Sequence, residues 1–191
     1  MKRRTFFKGA SAASLLAAGT LISNTQLHAA DADGKSGPFH YSKSLESCRQ
    51  MPGFTMNFVV DKSQTNGAYS IIEAKARKGG EPGLHYHEHE DEAFFMLEGE
   101  MMVVIGEKEY HVKPGDYIFL PRMIPHTQKF ITETIHTLLM ISPAGLEEYF
   151  RAATLPAENF EIPPLSNEPP SEEMMQMMMK MNEQFGIKML G

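Results

Sequence analysis

Short apolar runs separated by turns dominate the middle of the chain, and their apolar positions recur every second residue rather than every third or fourth. That period belongs to half-buried strands. Residues 51–141 read as a series of such strands. One is expected over 68–76, where Tyr69, Ile71 and Ile72 sit, and another over 93–97. Between them, Gly79-Gly80-Glu81-Pro82-Gly83 breaks the chain. Segments 101–105 and 108–112 flank Gly106-Glu107, a hairpin signal. Pro114-Gly115-Asp116 marks a further turn, and 117–120, 127–131 and 135–141 complete the set. Helical signals come only afterwards. A short helix is expected over 146–153. An extended linker punctuated by Pro156, Pro163, Pro164, Pro169 and Pro170 follows, then a last helix from Ser171 to near Gly186. Ser171-Glu172-Glu173 supplies its N-cap and first-turn acids. No segment repeats the strand region. The expected fold class is all-β, a sandwich or barrel with short C-terminal helices.

At 191 residues there is room for one ordinary domain. The N-terminus is a different kind of segment. Lys2-Arg3-Arg4-Thr5-Phe6-Phe7-Lys8 precedes a mild apolar run from about Ala10 to Ile22. This layout resembles a twin-arginine signal, with cleavage expected near Ala30. The run is too short to span a bilayer, which takes roughly 20 apolar residues; a retained N-terminal anchor is the alternative. The expected organisation is therefore a signal peptide over 1–30, a flexible lead-in over 31–50 and a barrel over 51–145. A short helix with its Pro-rich linker takes 146–170, and a Met-rich helix takes 171–191. The resemblance implies export in the folded state to the periplasm or beyond, with no stable membrane span in the mature chain. Export would also let the protein take its metal before meeting copper or zinc outside, the ions that win on affinity alone.

Charge narrows the partners. The formal net charge is −6. Removing the four basic residues of 1–30 from the 18 in the chain leaves 14 against 24 acids, a net of −10. Such a protein is poorly suited to nucleic acid or anionic membranes and better suited to small molecules or proteins. The single cysteine, Cys48, cannot form an internal disulfide; it reads as a half-buried residue without a role, or else as a reactive thiol.

The candidate chemistry lies in His85-Tyr86-His87, then Glu92, then His126. Side chains two apart on a strand share a face, so His85 and His87 can aim at one point while Tyr86 faces away. With Glu92 and His126 they make a nitrogen-rich set suited to one divalent transition metal: Mn, Fe, Co, Ni, Cu or Zn. His89 shares the parity of His85 and His87 and is a rival ligand. Alternatively, Glu88 to Asp91 form a solvated charged loop. Alternation also turns Phe94 and Met96, and Gln128 and Phe130, inward. These form either an apolar substrate pocket with one amide or ordinary core.

The spacing of these residues resembles the cupin family. Gly79, five residues, His85, one, His87, four, Glu92, six, Gly99 matches its first motif. Gly115, five residues, Pro121, then His126 matches its second, with 15 residues between Gly99 and Gly115. Two positions depart from the pattern: Met123 stands where the family usually has Gly, and Phe130 where it has Asn. The resemblance implies a double-stranded β-helix, the jelly-roll barrel, holding a metal on His85, His87, Glu92 and His126. It also implies a possible homodimer.

Glu92-Ala93-Phe94-Phe95-Met96-Leu97-Glu98-Gly99-Glu100 and Ile141-Ser142-Pro143-Ala144-Gly145-Leu146-Glu147 are similar to quercetin-dioxygenase-like cupins. That likeness implies metal-dependent oxidation of an aromatic or enolic small molecule, with Glu92 handling the substrate's hydroxyl proton. A non-catalytic periplasmic binding or sensing module is the alternative reading. A metal-dependent isomerase or decarboxylase is a third, and it would need a further acid–base group.

Met174, Met175, Met177, Met178, Met179, Met181 and Met189 crowd the C-terminus. Met174, Met177, Met178 and Met181 recur at helical spacing, so a helix docking its apolar face is expected. A thioether tail for Cu(I) is the alternative.

Overall fold

The computed structural model describes residues 36–190. The export signal expected over 1–30, its cleavage near Ala30 and the first residues of the expected lead-in lie outside them. In chain order the strands are β1 (Cys48–Met51), β2 (Phe54–Val60), β3 (Ser70–Arg77), β4 (His85–His87), β5 (Asp91–Glu98), β6 (Met101–Ile105) and β7 (Lys108–Val112). Then come β8 (Tyr117–Leu120), β9 (His126–Phe130), β10 (Thr134–Ser142), helix α1 (Glu147–Ala153), β11 (Leu155–Pro156), helix α2 (Glu172–Gln184) and β12 (Ile187–Met189).

Among the described residues these strands form two sheets, ordered β11-β1-β2-β3-β10-β5-β8 and β12-β4-β9-β6-β7. Every pairing is antiparallel. The two sheets enclose one core, and the architecture is the jelly-roll barrel. Alternation decides which side chains enter it. On β10, Ile135, Thr137, Leu139 and Ile141 are buried and the residues between them are not. Val103, Leu120, Met96 and Ile72 meet in the same cluster, and each such aliphatic side chain contributes about 1.5–3 kcal/mol by leaving water. Gly99 ends β5 with φ +81°, and a Cβ there would run into the Thr134 carbonyl oxygen, so this turn demands glycine.

Four expectations need correction. Cys48, Arg49 and Gln50 are not lead-in; they begin β1, which pairs with β2 from Cys48↔Asn57 to Met51↔Phe54. Cys48 is fully buried rather than half-buried, and burial raises its thiol pKa, so it stays protonated and unreactive.

The C-terminal helix does not run to the end of the chain. It stops at Gln184, and Ile187–Met189 pair with β4 from Ile187↔His87 to Met189↔His85. Nor does the helix dock its methionines. No residue of α2 is buried, and Met174, Met175, Met177, Met178 and Met179 are 41–62 % exposed. The contacts that anchor the tail come after the helix. The Phe185 ring packs edge-on against Tyr149 at 5.7 Å between centroids, and Ile187 enters the core. No described helix is long and apolar enough to cross a membrane.

Candidate metal centre

His85 and His87 lie on β4 and His126 on β9, where His85 and His126 are register partners. Glu92 comes from the other sheet, on β5 between Leu120 and Ile141. The cluster therefore bridges the two sheets inside the barrel. All four side chains are buried. Each offers one ligand atom, and these atoms all lie within 4.8 Å of one another. Glu92 Oε2 is 3.4 Å from His87 Nε2 and 3.4 Å from His126 Nε2. Two nitrogens bound to one ion, each about 2.1 Å away, lie no more than about 4.2 Å apart. Sub-ångström movement would close the cluster on an ion.

The surroundings prepare the nitrogens. His85 Nδ1 donates to the Gly83 carbonyl at 2.8 Å, and His126 Nδ1 donates to the Ile124 carbonyl at 2.9 Å. A carbonyl can only accept, so the proton sits on Nδ1 and the Nε2 lone pair is left for the cluster. His126 Nε2 and both nitrogens of His87 are buried with no hydrogen-bond partner. Buried polar atoms left bare are costly, and a shared cation is the partner this donor set fits. The three-nitrogen, one-oxygen set suits a divalent transition metal.

The electrostatics agree. Burial pushes the Glu92 carboxyl up, but the His87 and His126 imidazoles outweigh it and hold the group well below the ordinary carboxylate range. Burial also lowers His85, keeping it neutral. Burial pulls His87 down as well, but the Glu92 charge wins and its pKa rises.

The other expected site residues fall differently. Phe94, Met96 and Phe130 are buried in the barrel core. Gln128 is buried on the same face of β9 as His126 and borders an open groove of about 790 Å³ with Lys78, Glu81, Met102, Val104 and Lys129. None of the four clustered residues lines that groove. His89 is exposed and stands apart from the cluster, its ring over Gly186.

Several residues that support the site carry no motif. Arg122 donates to Asp91 from Nε at 3.1 Å and from Nη2 at 2.8 Å, and to the His89 carbonyl at 2.7 Å. It ties the turn after β4 to the turn before β9, and its charge lowers the Asp91 pKa. Glu81 accepts from the Phe130 and Gly79 amides, holding the approach to β4 against β9. Glu90, within the stretch readable as a solvated loop, is buried, and its Oε2 has no partner. Met123 adopts φ +63°, the left-handed conformation for which the family pattern uses glycine, and its amide donates to the His87 carbonyl at 2.8 Å. The turn survives the missing glycine because the side chain projects into solvent, 58 % exposed.

A two-sheet jelly-roll with a buried, inward-facing cluster of three histidines and one glutamate defines the class: a β-barrel with a candidate metal centre. The cupin domain family model matches residues 73–142, which include all four clustered residues. Over those residues the chain is similar to the cupin domain family. The chain is 26 % identical over 122 residues to quercetin 2,3-dioxygenase of Bacillus subtilis, covering 63 % of this chain and 36 % of that protein. It is 33 % identical over 57 residues to an uncharacterized protein of Methanocaldococcus jannaschii, covering 30 % of this chain and 46 % of that one. The chain thus spans less than half the length of these curated relatives. An RmlC-like cupin from Shewanella frigidimarina aligns with a TM-score of 0.49 at 20 % identity, over 58 % of this chain and 96 % of that one.

Proposed function

We propose that this protein is an exported, metal-dependent cupin oxygenase acting on an aromatic or enolic small molecule. The observation that carries the reading is the buried cluster of His85, His87, Glu92 and His126, with imidazole nitrogens left unpartnered inside an apolar barrel. The likeness to a quercetin 2,3-dioxygenase supports the substrate class. A divalent transition metal, when bound, would supply Lewis acidity toward an ionised substrate oxygen. The chain's own residues do the rest. His85, His87, Glu92 and His126 would hold the metal, two of the imidazoles with tautomers set by backbone carbonyls. Glu92, beside the metal position, would hydrogen-bond the substrate's hydroxyl or take its proton. Phe94, Met96 and Phe130 keep water from the reacting carbons. Dioxygen is the oxidant, and both its atoms enter the product. Residues 1–30 direct the folded protein out of the cytoplasm.

The test is metal analysis and oxygen uptake of the mature protein beside a His85→Ala/His87→Ala double variant. About one equivalent of a redox-active metal, lost in the variant, together with oxygen consumption on flavonols or enols, is the expected result. Tight binding of such compounds without oxygen uptake would replace the oxygenase with a binding module.

A further inference from the structure

We propose that Glu90 is a positioning residue of the metal centre: through one bridging water its carboxylate accepts the Nδ1 proton of His87, and so aims the His87 Nε2 lone pair into the cluster. The inference rests on the reading of that cluster as a metal site.

Three imidazoles meet there, and two are anchored from behind. His85 uses the Gly83 carbonyl and His126 the Ile124 carbonyl. His87 has no such anchor, and its Nδ1 is buried without any partner. Three residues on, in the turn between β4 and β5, the Glu90 side chain is 93 % buried by exposure of 7 %, and its Oε2 is also buried without a partner. A buried imidazole nitrogen and a buried carboxylate oxygen are thus left bare three residues apart, at the end of β4 and in the turn after it. Neither atom has a hydrogen-bond partner, so a link between them runs through water.

The competing partners are committed elsewhere. Arg122 is spent on Asp91 and on the His89 and Ser142 carbonyls. The His89 ring lies over Gly186. Glu92 approaches His87 on the Nε2 side, at 3.4 Å. Gly145 lies beside Glu90 Oε1, which a Cβ there would meet at 3.6 Å. A carboxylate behind a metal-binding histidine fixes its tautomer and ring orientation and makes it a stronger donor.

Zn²⁺ affinity of the mature protein, measured by competition with a chromophoric chelator, tests this in wild type, Glu90→Ala and Glu90→Gln. Nitrogen NMR of the metal-free imidazoles is recorded alongside. Glu90→Ala should weaken Zn²⁺ about 10- to 100-fold. Glu90→Gln, whose amide oxygen still accepts from the bridging water, should recover most of that loss. Wild-type His87 should be the Nδ1–H tautomer and become a mixture in Glu90→Ala. Zn²⁺ binding by Glu90→Ala within about twofold of wild type (about 0.4 kcal/mol) would overturn the proposal. So would equal losses in both variants with an unchanged tautomer, which would make Glu90 a distant charge. Should Glu90→Ala fail to fold, Glu90→Gln and the wild-type tautomer decide. Absence of Zn²⁺ binding by wild type would sink the metal reading instead, and the His87 tautomer alone would then judge the contact with Glu90.

Discussion

Deleting residues 185–191 would strip β4 of its outer neighbour, and β4 carries two of the four clustered side chains. That strand is three residues long, and on its other side it meets β9 at the single register pair His85↔His126. Most of its pairing therefore comes from β12, over Ile187↔His87, Lys188↔Tyr86 and Met189↔His85. Two further backbone bonds clamp its ends: the Glu88 amide to the Gly186 carbonyl, and the Leu190 amide to the Leu84 carbonyl, both at 2.9 Å. These two contribute about 1 kcal/mol each, and burial of Ile187 adds about 2 kcal/mol. About 4 kcal/mol thus holds the strand in place, and every 1.4 kcal/mol passed on to metal binding is about tenfold in affinity. The truncated chain should bind Zn²⁺ between about 10-fold and 1,000-fold more weakly while keeping its β-sheet circular dichroism. Chelator competition on both chains gives the ratio. Affinity within about twofold of the full chain would refute the reasoning, because β4 would then hold its geometry without β12.

Two further outcomes follow from particular groups. Burial opposes ionisation of Glu73, but hydrogen bonds from Lys43, Asn57 and His136 overcome it and bring the pKa from 4.5 to about 2. The folded value is the depressed one, so this stabilisation is complete above about pH 4.5 and is lost as pH falls through about 2. Discounted for the exposed lysine, it amounts to about 2 kcal/mol; in denaturant melts, Glu73→Gln should flatten the acid limb over that window, and an unchanged limb would count against the network. Met123→Gly should leave the turn intact and stabilise the protein by about 0.5 kcal/mol, relief of left-handed strain being partly offset by greater freedom of the unfolded chain. A loss above about 1 kcal/mol in thermal unfolding would show that the exposed side chain makes contacts that matter.

Much of the barrel and its cluster was legible in the sequence because the signals are local. A strand points alternate side chains to one face, so the parity of His85 and His87, and the inward set on β9, follow from position alone. Gly106-Glu107 marks the β6–β7 hairpin, and those two strands have the ends that alternation and the turn predict. The departure at Met123 was visible too, and the positive φ there explains why the pattern favours glycine.

What tertiary structure alone decided is non-local. Glu92 reaches the histidines from the opposite sheet, and neither its spacing nor its charge specifies that crossing. Glu90 and Arg122 both sit in turns between strands, yet one is buried and the other reaches across to Asp91. At the C-terminus, helical spacing of methionines predicted an apolar face but could not say whether anything lies opposite it. The chain buries Ile187 and pairs its last strand with β4, and it leaves the methionines in solvent. Propensity and periodicity act within a few residues, whereas partner choice depends on which distant surfaces the folded chain brings together.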